Sequence, residues 1–215
     1  MNTTTRSKKK YNRIARFYDL HSKLAERIWF TKWRNRFILP LKEEILEVGI
    51  GTGKNIKYYN KEAEVVGIDF SEKMLQIAKE KLVKSGKRNI TLKQRDVENL
   101  KFKDNSFDYV VTTCVFCSVP NPTKGLEEIR RVLKPTGKLI MIEHVLSKNP
   151  VIALIEYVLN PITKLFMGVN INRNTKQNII QTGMRIAEDR NLALLDVFKL
   201  FIIRKGFPKE VKNEN

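Results

Sequence analysis

The stretch ILEVGIGTGKN, residues 45–55, places three glycines directly behind an apolar run. These are Gly49, Gly51 and Gly53, and Glu47 lies two positions before the first of them. Glycine lets the backbone adopt unusual angles and approach a ligand closely, and such a turn after a buried strand is typical of nucleotide sites. The stretch therefore predicts the first strand of an α/β sheet, with a nucleotide-like ligand at its carboxyl end.

The chain beyond this turn alternates between strand-like and helix-like segments. The helix at 71–86 has clear limits, because Ser71 is a good N-cap and Gly86 a good stop signal. Strands separated by helices require right-handed crossovers and a parallel sheet covered on both faces. Strands are predicted at 44–51, 63–70, 89–97, 106–116 and 137–145. One further helix is predicted to start within 52–61, and another to cover 123–135.

The last third of the chain has strand-like runs at 191–206 without a helix between them. This pattern predicts an antiparallel hairpin at one edge of the sheet. The expected fold class is α/β: a doubly wound, mostly parallel, Rossmann-like sheet with an antiparallel C-terminal edge hairpin.

Length and composition limit the possibilities further. A chain of 215 residues with 42% hydrophobic residues is a globular protein with a full core. Two cysteines give no disulfide framework and fit a reducing compartment. No apolar run reaches the ~18 residues of a spanning helix, and the first residues lack a secretory signal pattern. The expected location is the cytoplasm, in solution or on a membrane face.

Positive charge is concentrated at the start of the chain. The chain has 41 basic and 23 acidic residues, a net charge of +18. Residues 1–40 contain 11 Lys or Arg against only Asp19 and Glu26, which is 11 − 2 = +9. Such a field attracts nucleic acid or an anionic bilayer, and a solvated lysine-rich surface is the alternative. We expect residues 1–40 to form a basic amphipathic helical leader and residues 41–215 the main domain.

Three details around the glycine turn distinguish between ligands. Asp69 ends the second strand, 20 residues after Gly49, where a carboxylate accepts from both ribose hydroxyls, as in dinucleotide dehydrogenases. The dinucleotide pattern, however, needs a glycine where Lys54 stands. Glu47 would repel a pyrophosphate but suits an ammonium and a sulfonium, and Asp96 is placed to accept from an adenine amine. Together these features describe a site for S-adenosylmethionine.

Four motifs in this order resemble class I S-adenosylmethionine-dependent methyltransferases. They are EVGIGTGKN, VGIDFSEKML, RDVENLKFKDNSFDYVVTTCVFCSVPNP and EIRRVLKPTGKLIMIEH. The opening YNRIARFYDL (11–20) is similar to the leader of quinone C-methyltransferases and bacterial phosphatidylethanolamine N-methyltransferases. CVFCSVPNP, IEHVL and LNPITKLFMGVNINRNTKQNI also resemble microsomal alkyl-thiol methyltransferases. All three families act on lipophilic acceptors near membranes.

The resemblance implies a role for each matching position. The glycines would line the methionine part of the cofactor, and Glu47 would hold that loop or reach the amino group through water. Asp69 would bind the ribose, with Phe70 and Met74 beside the ribose or adenine. The other implied cofactor contacts are Asp96 and the Val97 amide on adenine, the Cys114 carbonyl on the amino group, and Tyr11 and Tyr18 closing over the methyl donor. Helix capping or turn formation is the alternative role for Asp69 and Asp96, and ordinary helix packing for Tyr18.

The catalytic candidates are Tyr18 and His144. A sulfonium is already a good methyl donor, so alignment and exclusion of water contribute most. An ammonium, thiol or phenol acceptor must still lose a proton, and His144, at the end of the fifth strand, is placed to act as a general base. Alternatively, His144 only orients a loop.

Cys114 and Cys117 form a C-x-x-C pattern, which suggests zinc or redox chemistry. A structural zinc site needs about four ligands, and the sequence has no second cysteine pair or histidine cluster. We therefore predict no metal site and interpret the two cysteines as pocket lining.

Two segments bear on the methyl acceptor. In the leader, Ile14, Phe17, Leu24, Ile28, Trp29, Trp33 and Phe37 could share one helical side between basic residues, as in interfacial membrane helices. The alternative is that this side packs on the domain. An apolar segment at 150–169, within a lid-like insertion at about 147–175, is interrupted by Glu156 and Pro161.

These segments favour a lipophilic or membrane-associated acceptor. We expect a phospholipid amine of the phosphatidylethanolamine type, and a peripheral contact of the protein with an anionic membrane. Quinone-precursor C-methylation and small-thiol S-methylation are the alternatives, RNA or protein methylation is weaker, and a non-enzymatic cofactor-binding regulator is a further possibility.

Overall fold

The computed structural model describes residues 3–206, with side chains described from residue 8 onward except at 21 and 22. The helices are α1 (Thr3–Ala25), α2 (Thr31–Phe37), α3 (Glu72–Ser85), α4 (Pro122–Val132), α5 (Pro150–Phe166) and α6 (Thr175–Gln181), with a π-helical turn at Glu26–Phe30 and a 3-10 turn at Ile56–Tyr58. The strands are β1 (Glu43–Val48), β2 (Ala63–Asp69), β3 (Ile90–Gln94), β4 (Phe107–Thr113), β5 (Leu133–His144), β6 (Arg185–Ala193) and β7 (Phe198–Arg204).

The seven strands form one sheet in the order β3-β2-β1-β4-β5-β7-β6. Strands β1 to β5 pair in parallel, whereas β7 runs antiparallel to both β5 and β6. The predicted fold class is confirmed, including the antiparallel hairpin at the C-terminal edge. The strand order reverses between β1 and β4, and in such sheets the crevice beyond the carboxyl ends at this point binds the ligand.

Helix α3 forms where the sequence places its limits. Ser71 Oγ accepts a hydrogen bond from the Met74 amide at 3.3 Å, and Gly86 ends the helix with a φ of +65°. Met74, Leu75 and Ala78 are buried against the sheet. Both end signals are confirmed.

The helix predicted from 52–61 is wrong. This segment contains turns and only the short 3-10 turn at Ile56–Tyr58. This segment buries Asn55, Ile56, Tyr58 and Tyr59 without forming an α-helix. The segment instead folds inward, where Asn55 Nδ2 and Tyr59 Oη donate to the Glu47 carboxylate at 2.7 and 2.8 Å.

The apolar stripe predicted along the leader is divided between two sides. Trp33 is buried, and Trp29 stacks on it with ring centroids 6.5 Å apart. Phe17, Leu24 and Ile28 are exposed. The π-helical turn explains the division, because its wider repeat rotates the residues that follow it relative to α1. Packing on the domain, the alternative for this stripe, is therefore correct for the two tryptophans.

The apolar segment after β5 contains α5, a helix of 17 residues that includes Pro161. Asn149 caps its N-terminus by accepting from the amides of Val151 and Ile152. Within residues 3–206, none of the helices has the length and apolar character needed to cross a bilayer.

Candidate functional site

A cleft lies beyond the carboxyl ends of β1, β2 and β4, and α1 covers it. We call it the glycine cleft. Because it sits at the reversal of strand order, it is where this fold places a ligand. Its lining consists of Tyr11, Tyr18, Val48, Gly49, Gly51, Ile68, Asp69, Phe70, Met74, Arg95, Asp96, Val97, Thr113, Cys114, Val115, Ser118, Val119 and Pro120.

Most of the predicted site residues meet in this cleft. Ten of the twelve predicted cofactor contacts belong to its lining: Tyr11, Tyr18, Gly49, Gly51, Asp69, Phe70, Met74, Asp96, Val97 and Cys114. Glu47, Gly53 and His144 lie outside the lining. The parallel sheet explains the convergence, because it brings distant strand ends to one edge.

The glycine turn is shaped by left-handed backbone angles. Gly49 and Gly51 have φ values of +68° and +56°. A methyl group on Gly49 would lie 2.5 Å from a Val115 methyl carbon, whereas one on Gly51 would meet only the Gly49 carbonyl oxygen, at 3.9 Å. Gly49 therefore allows two turns to pack together, and Gly51 leaves the cleft open for a ligand.

Asp69 connects β2 to the glycine turn. Its Oδ2 accepts from the Gly51 amide at 3.0 Å, and its Oδ1 accepts from the Ser71 amide at 2.8 Å. Burial raises the pKa of this carboxyl to about 6, although the Ser71 and Gly51 amides oppose the shift. Turn formation and ligand contact are thus compatible roles, because each carboxylate oxygen keeps a second lone pair for a ribose hydroxyl.

This pKa predicts a pH dependence of cofactor affinity. A ribose hydroxyl donates best to the ionised carboxylate, so S-adenosylmethionine should bind with constant affinity above about pH 7 and progressively more weakly as the pH falls through 6. Asp69→Asn should weaken binding roughly 10- to 100-fold at pH 7.5, the range for a charge-assisted hydrogen bond, and flatten the pH profile. Calorimetry from pH 5 to 8 measures both; an inflection near pH 6 that persists in the variant would contradict the assignment.

The side of the cleft opposite the glycines is built by β3 and the turn after it. Asp96 Oδ1 accepts from the Glu98 amide at 3.0 Å, so this acid forms a turn as well as lining the cleft. Val97 and Met74 are buried, and Phe70 packs edge-on against Tyr11 with ring centroids 5.6 Å apart. This apolar slot with one acid at its rim fits a flat base with an exocyclic amine.

Cys114 contributes backbone rather than side-chain chemistry. Its φ of +55° is unusual for a residue with a side chain, and its carbonyl oxygen accepts a 3.6 Å contact from Cys117 Sγ. The conformation is held by Glu143, which accepts from the amides of Val115 and Phe116 at 3.0 and 3.2 Å. The sequence did not predict this role of Glu143. An acidic residue at the end of a buried strand, directly before His144, was the feature that could have indicated it.

Burial also decides the chemistry of the two thiols. It raises the pKa of Cys114 well above its ordinary value and that of Cys117 to about 12, and the nearby Glu143 charge acts in the same direction. Both cysteines therefore stay protonated near neutral pH. Cys114 lines the cleft, as predicted for both, whereas Cys117 is buried outside its lining.

The leader closes the cleft from above. Tyr11 Oη hydrogen-bonds Ser118 Oγ, Asn12 Oδ1 accepts from Ser71 Oγ at 2.6 Å, and Lys54 Nζ lies 4.7 Å from the centre of the Tyr18 ring. Burial raises the pKa of both tyrosines well above 10, so neither is a base at neutral pH. Their position fits the predicted closure over the ligand.

Beneath the glycine turn lies a second network that sequence reasoning also missed. The buried Arg34 of α2 forms an ion pair with Glu26 and donates to Asn55 Oδ1. Asn55 in turn donates to Glu47, whose pKa burial raises to about 7. Glu47 holds the loop, as one of its two predicted roles required, and the network ties the leader to the turn.

Gly53 packs the turn against α3. A methyl group on it would lie 2.6 Å from Ile56 Cδ1 and 3.1 Å from Ala78 Cα. Its position in the structure is thus a close approach of turn and helix, outside the glycine cleft, and its predicted cofactor contact stays a prediction.

His144 lies outside the lining of the glycine cleft, close to Glu156 of α5. Its ring packs edge-on against Phe198, and its Nε2 lies 3.7 Å from Glu156 Oε1. Burial lowers its pKa. A neutral imidazole is a competent base, but this one is not in the glycine cleft, so its general-base role stays a prediction and the geometry favours the alternative that it orients a loop.

Comparison with known proteins agrees with this geometry. Residues 46–141 match the family described as "Methyltransferase domain". The chain is 35% identical over 116 residues to phosphatidylethanolamine N-methyltransferase of Cereibacter sphaeroides, covering 54% of this chain and 57% of that protein. It is 34% identical over 153 residues to demethylmenaquinone methyltransferase of Lactobacillus johnsonii, covering 67% and 63%.

A solved structure of a SAM-dependent methyltransferase from Aquifex aeolicus has the same fold. It superposes with a TM-score of 0.62 at 20% identity, over 90% of this chain and 97% of that one. The chain spans about 57–63% of the length of the two curated relatives described above.

Proposed function

We propose that this chain, which carries a class I S-adenosylmethionine-dependent methyltransferase domain, transfers a methyl group to a lipophilic acceptor at a membrane surface. The position of the leader supports this proposal best. The side of α1 that carries Tyr11 and Tyr18 lines the glycine cleft, while Phe17, Leu20 and Leu24 are exposed on the same helix. One helix therefore faces both the ligand site and an environment suited to apolar side chains.

Our best candidate for the acceptor is a phospholipid amine of the phosphatidylethanolamine type. The similarity to the Cereibacter protein supports this choice, as does the basic leader, which would attract an anionic lipid surface. A quinone precursor methylated on carbon is the alternative, supported by the similarity to the Lactobacillus protein. A small thiol is a third candidate, which rests on the motifs around CVFCSVPNP alone.

The residues of the cleft serve mainly to bind and align. S-adenosylmethionine supplies an electrophilic methyl group. Asp69 and the glycine turn would fix the cofactor, while Tyr11 and Tyr18 cover the cleft and exclude water. Orientation of two bound reactants contributes roughly 7–11 kcal/mol of barrier reduction. Tyr11, Tyr18 and Cys114 of the lining hold their protons at neutral pH, so we expect the acceptor's own pKa to set the pH dependence of turnover.

His144→Asn tests whether a base is needed. A general base contributes roughly 10²- to 10⁴-fold to the rate. Because His144 lies outside the cleft, we expect a much smaller change in turnover and an unchanged affinity for S-adenosylmethionine. Turnover from pH 6 to 9, measured beside calorimetry, separates the two roles. A loss of 10²-fold or more at neutral pH, with intact cofactor binding, would establish His144 as the base.

A labelled-methyl assay identifies the acceptor class. The protein is incubated with methyl-labelled S-adenosylmethionine and, separately, a phospholipid extract, quinone precursors, small thiols, RNA and protein. We expect label in the phospholipid fraction, on phosphatidylethanolamine. Asp69→Asn serves as the matched negative control, because it keeps the size of the side chain and removes the charge. Label in another fraction would replace the acceptor, and no transfer to any of them would point to a cofactor-binding regulator.

A further inference from the structure

We infer that α5 is an inverted amphipathic helix that inserts into the interface of a lipid bilayer and holds the mouth of the glycine cleft against the membrane. The inference deepens the proposed function and rests on it for the lipid acceptor. It also changes which residues anchor the protein, because Trp33, which belongs to the interfacial pattern of the leader, is buried in the domain.

The polarity of α5 is the reverse of that of a surface helix. Its one buried residue is an acid, Glu156, which is 5% exposed. The side facing the body also carries Asn160 and Thr163, which are half-buried. The exposed residues are almost all apolar: Val151, Leu154, Ile155, Tyr157, Val158, Leu159, Ile162, Leu165 and Phe166. In water this arrangement is unfavourable, because a surface helix normally turns its apolar stripe inward.

Specific contacts hold α5 in this orientation. Glu156 Oε2 accepts from the Ser147 amide at 2.9 Å, which fixes the acid toward the body. Lys10 Nζ of the leader donates to the Lys164 carbonyl at 2.6 Å, which joins the end of α5 to α1. Thr163 Oγ1 donates to the Val169 carbonyl at 3.1 Å. The contacts of Glu156 and of the Lys164 carbonyl join α5 to other segments of the chain, so rotating the helix to bury its leucines would break them.

The charge of this surface identifies a bilayer as its occupant. The exposed part of α5 has no carboxylate, and Lys148 and Lys164 are exposed near its two ends. The leader carries a second surface of the same character on α1, where apolar Leu20 and Leu24 alternate with basic Arg16 and Lys23, all of them exposed. Apolar residues flanked by cations match a lipid interface with anionic headgroups. A second copy of this +18 chain would bring like charges together.

Helix α5 is connected to the lining of the glycine cleft, so its insertion into a membrane would bring the cleft close to the lipid. The Asn170 amide, just after α5, donates to the Cys117 carbonyl at 2.8 Å, and Arg173 donates to the Val119 carbonyl at 3.0 Å. Val119 belongs to the lining of the cleft, and Lys10 precedes the lining residue Tyr11. A lipid could thus pass from the interface to the cleft between α5 and the leader without crossing water.

Vesicle sedimentation with two charge-neutral variants tests the inference. Leu154→Gln and Leu165→Gln remove exposed apolar groups from α5, and Val83→Gln removes one from α3, where Val83 is 81% exposed. The probe is phosphatidylcholine vesicles with and without phosphatidylglycerol. We expect each α5 variant to bind the anionic vesicles roughly tenfold more weakly, the change expected from losing burial of one leucine, and Val83→Gln to bind as the parent protein does.

The possible outcomes are distinguishable. Equal binding by all three variants would overturn the role of α5, and so would a dimer without lipid that Leu154→Gln dissociates, since a second copy would then cover the helix. Calorimetry with S-adenosylmethionine checks that each variant is folded. Intact vesicle binding by the parent protein, without methyl transfer to any lipid, would refute the proposed acceptor and leave the inference about α5 standing.

Discussion

Gly49→Ala is expected to lower the free energy of unfolding by about 2–5 kcal/mol, a large part of the 5–15 kcal/mol typical of a domain. The left-handed backbone costs a side-chain residue roughly 1–2 kcal/mol. The new methyl group would also lie 2.5 and 2.9 Å from the two γ-carbons of Val115, and overpacking of this kind costs about 1–3 kcal/mol. Val115 cannot yield easily, because its side chain is β-branched and its amide is held by Glu143.

Two other glycines separate the causes. Gly86 has a φ of +65° and nothing within 4 Å of an added methyl group, so Gly86→Ala measures the backbone cost alone. Gly51→Ala adds a methyl group in the lining of the cleft, with no clash in the free protein. We expect Gly51→Ala and Gly86→Ala each to lower the free energy of unfolding by about 1 kcal/mol relative to the parent protein. Gly51→Ala should also bind S-adenosylmethionine at least tenfold more weakly.

Urea unfolding and calorimetry on the three alanine variants provide the measurements. The comparison is valid where the dependence of the unfolding free energy on urea concentration is the same in all of them. If Gly49→Ala were no less stable than Gly86→Ala, the contact with Val115 would not be a tight one. If Gly51→Ala kept full affinity, the cofactor would lie away from the glycine turn.

Much of the fold could be predicted because its determinants are local. Ser71 and Gly86 set the ends of α3 through a cap and a left-handed residue, and both act within one turn of the chain. The alternation of strands with helices fixes the parallel sheet in the same way. The convergence of Asp69 and Asp96 on one cleft then follows from topology, because the strands that precede them end at the same edge.

What could not be predicted depends on contacts between distant residues. The segment at 52–61 has a helix-compatible pattern, but Asn55 and Tyr59 are drawn inward to satisfy the buried Glu47. The π-helical turn at Glu26–Phe30 likewise redirects Trp33 into the core, which the period of an ideal helix cannot show.

The direction that α5 faces is a further example. Its sequence indicates an apolar helix. The hydrogen bond from the Ser147 amide to Glu156 shows that the polar side of this helix points inward. His144 illustrates the limit for the site. The end of a strand can be predicted, whereas the residues that its last side chain contacts, here Phe198 and Glu156, depend on the tertiary fold.

Glu143→Ala is expected to be at least as damaging as Gly49→Ala. The carboxylate is fully buried and accepts from three donors: the Thr112 hydroxyl at 2.7 Å and the amides of Val115 and Phe116. Removing it leaves the buried Phe116 amide and the part-buried Val115 amide without this acceptor, at about 1–3 kcal/mol for each buried group. We expect a loss of about 3 kcal/mol or more in the free energy of unfolding. The surface variant Glu80→Ala on α3 is the control and should be close to neutral.

The pH dependence of stability distinguishes Glu143 from a merely space-filling residue. Burial raises the pKa of its carboxyl to about 7 in the folded protein, from 4.5. The proton is therefore bound more tightly in the folded state, and its stabilising contribution is complete below pH 4.5 and lost as the pH rises through 7. Glu143→Gln cannot titrate, so its urea midpoint should lack this part of the pH dependence between 4.5 and 7.

Glu143→Gln should also affect the cleft. The uncharged oxygen of glutamine would accept more weakly from the Val115 and Phe116 amides, which both donate to Glu143 Oε2, and the turn that carries the Cys114 carbonyl would be held less firmly. We therefore expect weaker binding of S-adenosylmethionine together with lower stability, whereas Glu80→Ala should change neither. Unchanged affinity in a destabilised Glu143→Gln protein would show that the carbonyl of Cys114 does not hold the cofactor, and the role of this turn would then be structural alone.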